Sequence, residues 1–594
     1  MKKNAKWEVL SKLKTKNEKV KIEEILNILL ENRGLTTKKQ QETFLHSDIT
    51  LVTPDSIGLD KKNLAKALKR VKDAIQKKEQ IVVFGDYDVD GIAGTAILWE
   101  TLHALGANVT PYIPNRVDEG YGLSILGIQK VILNVSEGSH SKNRNSSALP
   151  QNDRVSLIIT VDNGIVANEA VEYANSLGID VILTDHHTLG PKVPEAYAIV
   201  HSTALCGTGV AWVFSQEIKN SQPSTSSGKK SSLSEQSESK GFPHDHLALV
   251  ALATVADLVP LTNGNRILLT EGLKILHSTK RPGIIAMCEE AGISQKEIGV
   301  YQIGHMLAPR LNAMGRIASA MDSLRLLCTR DSMRAKALAE KLGITNKERQ
   351  LVTQSITEHA IARVKGEGER VKNLLFVAHE SYEEGVIGLV AGKLVEEFYR
   401  PSIVLSIGEK KSKASARSIK GFDIIEFIRT AQHLLINAGG HPMAAGFSIE
   451  TSKIGELEKF FAENVQLTDD MLEKSLRIDC ELPLEMVTQG FYDQLQQLQP
   501  FGMGNPEPTF LSKEAVVVNV KTVGRDNSHL RLELRSKNHE SSIQGIAFGL
   551  GEMFKDLKPG QKVDIVYTID ENVWNNRKTL QLKIKDIKPN IGRF

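Results

Sequence analysis

The stretch Ile81-Val82-Val83-Phe84-Gly85-Asp86-Tyr87-Asp88-Val89-Asp90-Gly91 joins a short apolar run to three carboxylates and a glycine, and a helical pattern follows from Ile92 to Leu105. Four apolar residues bounded by turn residues read as a buried strand, which puts the acidic turn at the strand's carboxyl end. The same arrangement returns twice. Leu157-Ile158-Ile159-Thr160-Val161 precedes Asp162-Asn163-Gly164 and a helical segment from Val166 to Leu177, and Val181-Ile182-Leu183-Thr184 precedes Asp185-His186-His187. Strands alternating with helices predict an open α/β fold around a parallel sheet. In such a sheet the carboxyl ends of the strands open on one crevice, so the three acidic turns converge although they are far apart in sequence.

Each turn alone has a plain structural explanation, since Asp caps a following helix and Gly permits a tight turn. Three in order, each after an apolar run, do not. Converging carboxylates repel one another and are costly to bury unless a cation lies between them. Oxygen-rich ligation with imidazole and no thiolate suits Mn²⁺ or Mg²⁺ better than a structural zinc. Two such ions about 3.5–4 Å apart can activate a water and neutralise a phosphoryl group together.

Composition sets the frame around this site. A chain of 594 residues is too long for one core, and 41% hydrophobic with 24% charged residues is ordinary globular usage. Cys206, Cys288, Cys328 and Cys480 show no C-x-x-C spacing, which argues against a zinc site or disulfide framework and for a reducing, cytoplasmic location. No apolar run is long enough to span a membrane. A net charge of +3 confines any nucleic-acid surface to a local patch.

The chain divides into an N-terminal helical region over 1–75, a catalytic α/β domain over 76–330, a connecting helix over 331–368, a second α/β domain over 369–466 and a β-barrel over 467–594. In the first region Leu64, Leu68, Val71 and Ile75 recur at helical spacing. Segments 136–153 and 219–240, poor in apolar residues, read as solvated, mobile insertions in the catalytic domain. The final segment carries five short strands in about 100 residues, the pattern of an OB-fold.

D-Y-D-V-D-G, V-D-N-G and D-H-H in this order resemble the signature motifs of the DHH phosphoesterase superfamily, and Ala253-Thr254-Val255-Ala256-Asp257 resembles its fourth acidic motif. The likeness extends through Ala308-Pro309-Arg310-Leu311-Asn312-Ala313-Met314-Gly315-Arg316. It continues through Gly385-Val386-Ile387-Gly388, Ser415-Ala416-Arg417-Ser418 and Gly439-Gly440-His441-Pro442, the last two resembling the DHH-associated domain. Within the superfamily the chain is most similar to the RecJ exonucleases. That resemblance implies a 5′-to-3′ exonuclease specific for single-stranded DNA, which releases 5′-mononucleotides by two-metal-ion hydrolysis in DNA recombination and repair. Asp86 and Asp162 would hold one ion, and Asp88, Asp162, His186 and Asp257 the other, with Asp162 bridging. His187 would complete the catalytic set, Asp185 would fix the imidazoles, and Asp90 would orient the turn and helix start. Arg310, Asn312, Arg316, Ser415, Arg417, Gly440 and His441 would contact substrate.

Two departures stand out. Many relatives have His two residues before the first Asp, where this chain has Phe84, and Trp-His before Gly-Val-Ile-Gly, where it reads Tyr382-Glu383-Glu384. The resemblance further implies single-strand-binding protein and a RecQ-type helicase as partners, and action as a monomer. Candidates for a single-strand track on the barrel are Lys521, Arg525, His529, Arg531, Trp574 and Arg577, although Trp574 could instead fill the barrel's core. A DHH-family oligoribonuclease or nucleotide phosphatase, and a catalytically silent replication scaffold, are the rival functions. The final barrel speaks against the first and the complete set of acidic residues against the second.

Overall fold

The computed structural model describes residues 5–12, 21–116, 118–120, 122–140, 154–222, 245–366, 372–537, 541–574 and 577–589, with the side chains of 136–140 and 573–574 outside the description. Two compact units emerge, one made of 46–351 with 502–505 and the other of 1–45, 352–501 and 506–594.

The first unit is built on five parallel strands in the order Asn108–Tyr112, Gln80–Phe84, Val155–Thr160, Asp180–Asp185, Ala198–His201. Its three central strands are apolar on both faces because both are covered. Ile81, Val83, Leu157, Ile159 and Ile182 enter one core with helices Val89–Ala104, Gly207–Asn220 and His246–Ala256, while Val82, Phe84, Ile158, Val181 and Leu183 enter a second. After Gln80–Phe84 the chain steps to one side, and with Val155–Thr160 it returns to the other. The switch point therefore lies between these two strands, where an open parallel sheet forms its crevice.

Helix Ser332–Gly366 carries the chain from one unit into the other: Ala335, Ala339 and Leu342 pack in the first core, Ile356, Ala360 and Val364 in a core of the second unit. The latter core lies under a five-stranded sheet ordered Leu435–His441, Ala444–Glu450, Lys411–Arg417, Ser402–Ser406, Leu375–His379, in which only the last pair is parallel.

The closed barrel consists of Phe510–Val523, His529–Arg535, Ser542–Ala547, Arg577–Pro589 and Lys562–Trp574, the last pairing back to the first. Residues 1–75 are not wholly helical as the sequence reading expects. Lys6–Ser11 is a strand paired in parallel with Ser475–Glu481, which in turn flanks the barrel. The helical expectation fails because a strand this short is stabilised by a partner more than 460 residues away, which no local pattern records. Nor does the region stay together. Ile25, Ile28, Leu29 and Leu30 enter the barrel's core, whereas Val52, Ile57, Leu59 and Leu64 enter that of the parallel sheet.

Of the two expected insertions, residues 136–140 continue helix Ile125–His140 and Lys219 and Asn220 end helix Gly207–Asn220, while 141–153 and 223–240 lie outside the described residues. No described helix is long and apolar enough to cross a membrane, and all four cysteines are free thiols.

Candidate active site

The acidic turns meet at the switch point. Asp88 caps helix Val89–Ala104, its Oδ1 accepting from Asp90 N at 3.0 Å and Gly91 N at 3.1 Å. Asp86 is fully buried, and neither carboxylate oxygen has a hydrogen-bond partner among the described residues. Asp162 is held in a left-handed conformation at φ 63°, a strained state for a non-glycine residue and one that recurs at functional sites. His186 Nε2 lies 3.1 Å from Asp162 Oδ1, 3.5 Å from Asp257 Oδ2 and 3.7 Å from Asp90 Oδ2.

Asp185 turns inward and organises the D-H-H loop. Its Oδ2 accepts from Ile165 N at 2.9 Å and its Oδ1 from His186 N at 2.7 Å and His187 N at 3.1 Å, with His187 Nδ1 at 2.8 Å. His187 Nδ1 is also 3.8 Å from Asp162 Oδ1. Asp90 serves a different helix from the one it sits on: its Oδ2 accepts from Gly207 N at 2.6 Å and its Oδ1 from Thr208 N at 2.7 Å. It thereby fixes the amino end of helix Gly207–Asn220 beside the carboxylates, where the helix dipole favours negative charge. Gly207 leaves room for this approach, since a Cβ there would fall 2.7 Å from Asp162 Oδ1.

The electrostatics are those of a cation site. Burial, and next the charge of Asp88, push the Asp86 carboxyl well above its usual range. Burial with Asp90 and Asp88 does the same to Asp162, and raises Asp257 to about 9. Burial also lowers His186 against the pull of Asp90, which favours the neutral imidazole that ligates metals. For His187 burial acts downward, but the bond and charge of Asp185 outweigh it and raise the ring's pKa. Three groups present ligand atoms within 4.8 Å of one another: Asp86, Asp88, Asp162; Asp90, His186, Asp257; and Asp162, His186, His187. The unpartnered oxygens of Asp86 and the hard oxygen and imidazole donor set fit a pair of divalent cations. Phe84 offers no ligand atom; its ring is buried 5.2 Å from that of Tyr112.

The remaining site residues fall into two groups. In the first unit Asn312 Oδ1 accepts from Val89 N at 2.9 Å, so its amide braces the acidic turn. Gly315 lets the same helix, Ala308–Ile317, press against that turn, a Cβ there meeting Tyr87 O at 2.3 Å. Arg310 is engaged by Glu290 and by Met306 O at 2.7 Å. Arg316 is lowered to about 10 by burial and then by Arg116 and Arg349, with Asp88 pulling the other way. Arg116 lies within electrostatic reach of Asp86 and Arg316 within that of Asp88, while Arg349 acts on Arg316. Sequence reading misses Arg116 and Arg349, although Arg116 follows the carboxyl end of strand Asn108–Tyr112 and the strand-end rule could have found it. In the second unit Arg417 Nη1 donates to Ser415 Oγ at 3.2 Å on strand Lys411–Arg417. Next to it Ala444 pairs with Arg417 on one side and His441 on the other, and Gly440, at φ 141°, leaves space that a Cβ would close at 2.4 Å from Ala444 O.

On the barrel Lys521 faces Arg531 across the strand pair, and His529 meets the Phe548 ring edge-on at 5.2 Å. Phe548 is 62% exposed and is a third residue that sequence reading misses. The side chain of Trp574 lies outside the described residues.

Three domain models match along the chain: the DHH family N-terminal domain over 80–254, the DHHA1 domain over 371–467 and the RecJ OB domain over 478–586. The single-stranded-DNA-specific exonuclease RecJ of Bacillus subtilis is 35% identical over 98% of this chain and 70% of its own length. The Escherichia coli exonuclease of the same name is 30% identical over 88% and 90%. The crystal structure of Thermus thermophilus RecJ in complex with Mn²⁺ superposes with a TM-score of 0.75 at 25% identity, covering 99% of this chain and 80% of that one. Three domains in one order and near end-to-end identity at this level place the chain in the RecJ family of single-stranded-DNA-specific exonucleases.

Proposed function

We propose that the protein hydrolyses single-stranded DNA from its 5′ end, releasing 5′-mononucleotides, with two divalent cations, Mn²⁺ or Mg²⁺, held by Asp86, Asp88, Asp162, His186 and Asp257. The observation that carries this is the fully buried Asp86 carboxylate without a hydrogen-bond partner, amid carboxyl groups that raise one another's pKa values. When bound, the ions supply an activated water and neutralise charge on the phosphoryl group. Asp162, whose oxygens lie in two of the three donor groups, would be shared between them. Asp185 fixes the geometry of His186 and His187, and a metal ligand held in this way loses affinity when its support is removed. Asn312 and Gly315 keep the first acidic turn seated. Arg116, Arg316 and Arg349 would neutralise phosphates entering the site. Ser415, Arg417, Gly440 and His441 would grip the strand, and Phe548, with Lys521 and Arg531, would guide it along the barrel. The same reading places the enzyme in the cytoplasm, in recombination and repair, where a helicase and single-strand-binding protein would present its substrate.

A 30-nucleotide strand labelled at either end tests this. Mn²⁺-dependent release of mononucleotide from the 5′-labelled end, with the 3′ label retained in shrinking products, is the expected outcome. Faster hydrolysis of a dinucleotide than of the long strand would instead favour an oligonucleotide-clearing enzyme.

A further inference from the structure

Residues Gly502–Asn505 pack with the catalytic unit, although Phe501 before them and Pro506 after them belong to the other. The tetrapeptide closes on itself, Gly502 N–H donating to Asn505 O at 2.8 Å and Asn505 N–H to Gly502 O at 3.1 Å, and Asn505 is fully buried. Its Met503 carbonyl accepts from Leu261 N–H at 2.7 Å. Gly504 is constrained here by its backbone and by space together, and Gly502 by the side chain of Leu261. A Cβ on Gly502 would fall 2.6 Å from Leu261 Cδ1, and one on Gly504, at φ 73°, would fall 3.0 Å from Pro260 Cβ.

The gripped turn is the one that follows Asp257. On its amino side Asp257 is fixed by helix His246–Ala256, its N–H donating to Ala253 O at 2.9 Å. On its carboxyl side Leu258 takes φ 58° while 67% exposed, so its own packing does little to hold a strained backbone. Beyond Leu258 the turn is held by Val259, which packs against the core, and by Pro260 and Leu261, through Asn265 Nδ2 on Pro260 O at 3.2 Å and through the tetrapeptide. Gly502 also lies near Val300, a Cβ there being 3.8 Å from Val300 Cγ1, at the head of the helical run that leads to Asn312 and Arg316.

We propose that Gly502-Met503-Gly504-Asn505 is a positioning clip for the fourth acidic motif, and that it sets how tightly Asp257 takes part in metal binding. The inference rests on the reading of Asp257 as a metal ligand. It is tested by titrating Mn²⁺ into the metal-free full-length protein by calorimetry, with melting temperature and single-stranded oligonucleotide affinity in EDTA as controls for the fold. Gly504→Val and Gly502→Val are each expected to weaken Mn²⁺ binding by about 10-fold, the scale of loss when a ligand's support is removed, and saturating Mn²⁺ should restore turnover. Leu261→Ala added to Gly502→Val relieves the collision and should recover most of the affinity. Asp257→Asn separates the two readings. If it weakens Mn²⁺ binding while both glycine variants bind like the wild type, the clip is overturned and the metal site stands. If it leaves Mn²⁺ binding unchanged, both fall.

Discussion

Asp257, with its carboxyl raised to about 9 by burial and then by Asp90 and Asp88, keeps its proton at neutral pH in the metal-free protein. An unfolded aspartate ionises near 3.8. Between those two values the folded chain binds a proton that the unfolded chain has released, so stability falls as pH rises through that interval. Asn at this position does not titrate. The melting temperature of Asp257→Asn relative to wild type, in EDTA, should therefore climb from about pH 4 to about pH 9. Added Mn²⁺ should reverse the order by stabilising the wild type more than the variant, which keeps the ligands Asp86, Asp88 and Asp162. A difference that stays flat with pH would show that the carboxyl is not perturbed. Asp162→Asn, which tolerates the left-handed backbone, should abolish hydrolysis without loss of fold, and near wild-type turnover in saturating Mn²⁺ would refute a shared ligand. The acidic turns at Asp86, Asp162 and Asp185 were legible because each closes an apolar run, whereas Asp257, at the end of a helix, entered only through the family resemblance. Arg349 was not, because a guanidinium within a 35-residue helix leaves no local pattern that names its neighbours.

Helix Gly207–Asn220 depends on a carboxylate from another helix, since Asp90 receives the N–H groups of both Gly207 and Thr208. Replacing Asp90 by Ala strands two buried donors and should cost about 2–3 kcal/mol in urea denaturation. In EDTA this loss is opposite in sign to the gain expected from Asp257→Asn, though both changes remove a carboxylate from the same cluster. Equal effects of the two would mean that Asp90 only repels its neighbours. The three central strands of the parallel sheet could be read from sequence because burial on both faces leaves unbroken apolar runs, whereas the edge strands Asn108–Tyr112 and Ala198–His201 could not. The capping role of Asp90 could not, since it joins positions more than 115 residues apart through backbone N–H groups that every residue possesses.

The barrel draws on both ends of the described chain. Ile25, Ile28, Leu29 and Leu30 share its core with Phe491, Phe510 and Tyr567, Trp7 Nε1 donates to Asp586 at 2.7 Å, and Lys588 Nζ sits 4.0 Å from the Trp7 ring centroid. Deleting residues 1–45 should expose that core, with increased binding of a hydrophobic dye and weakened affinity for long single strands. Hydrolysis of a dinucleotide, too short to reach along the barrel, should fall much less. Retention of full long-strand affinity would take either the barrel or its N-terminal support out of the DNA path. The OB-fold itself was legible from five spaced strands, whereas the N-terminal contribution was hidden by its distance in sequence.

The pairing of Lys6–Ser11 with Ser475–Glu481 also imposes a delay during synthesis. At about 5–20 residues per second a ribosome takes roughly 20–90 s to make the second strand after the first. The parallel-sheet unit can fold within that time, all but its last four residues having been made. Meanwhile the apolar side of helix Ile22–Glu31 has no core to enter. A chain made only as far as Ser475 would therefore leave the apolar side of this helix uncovered, the kind of transient surface that favours aggregation.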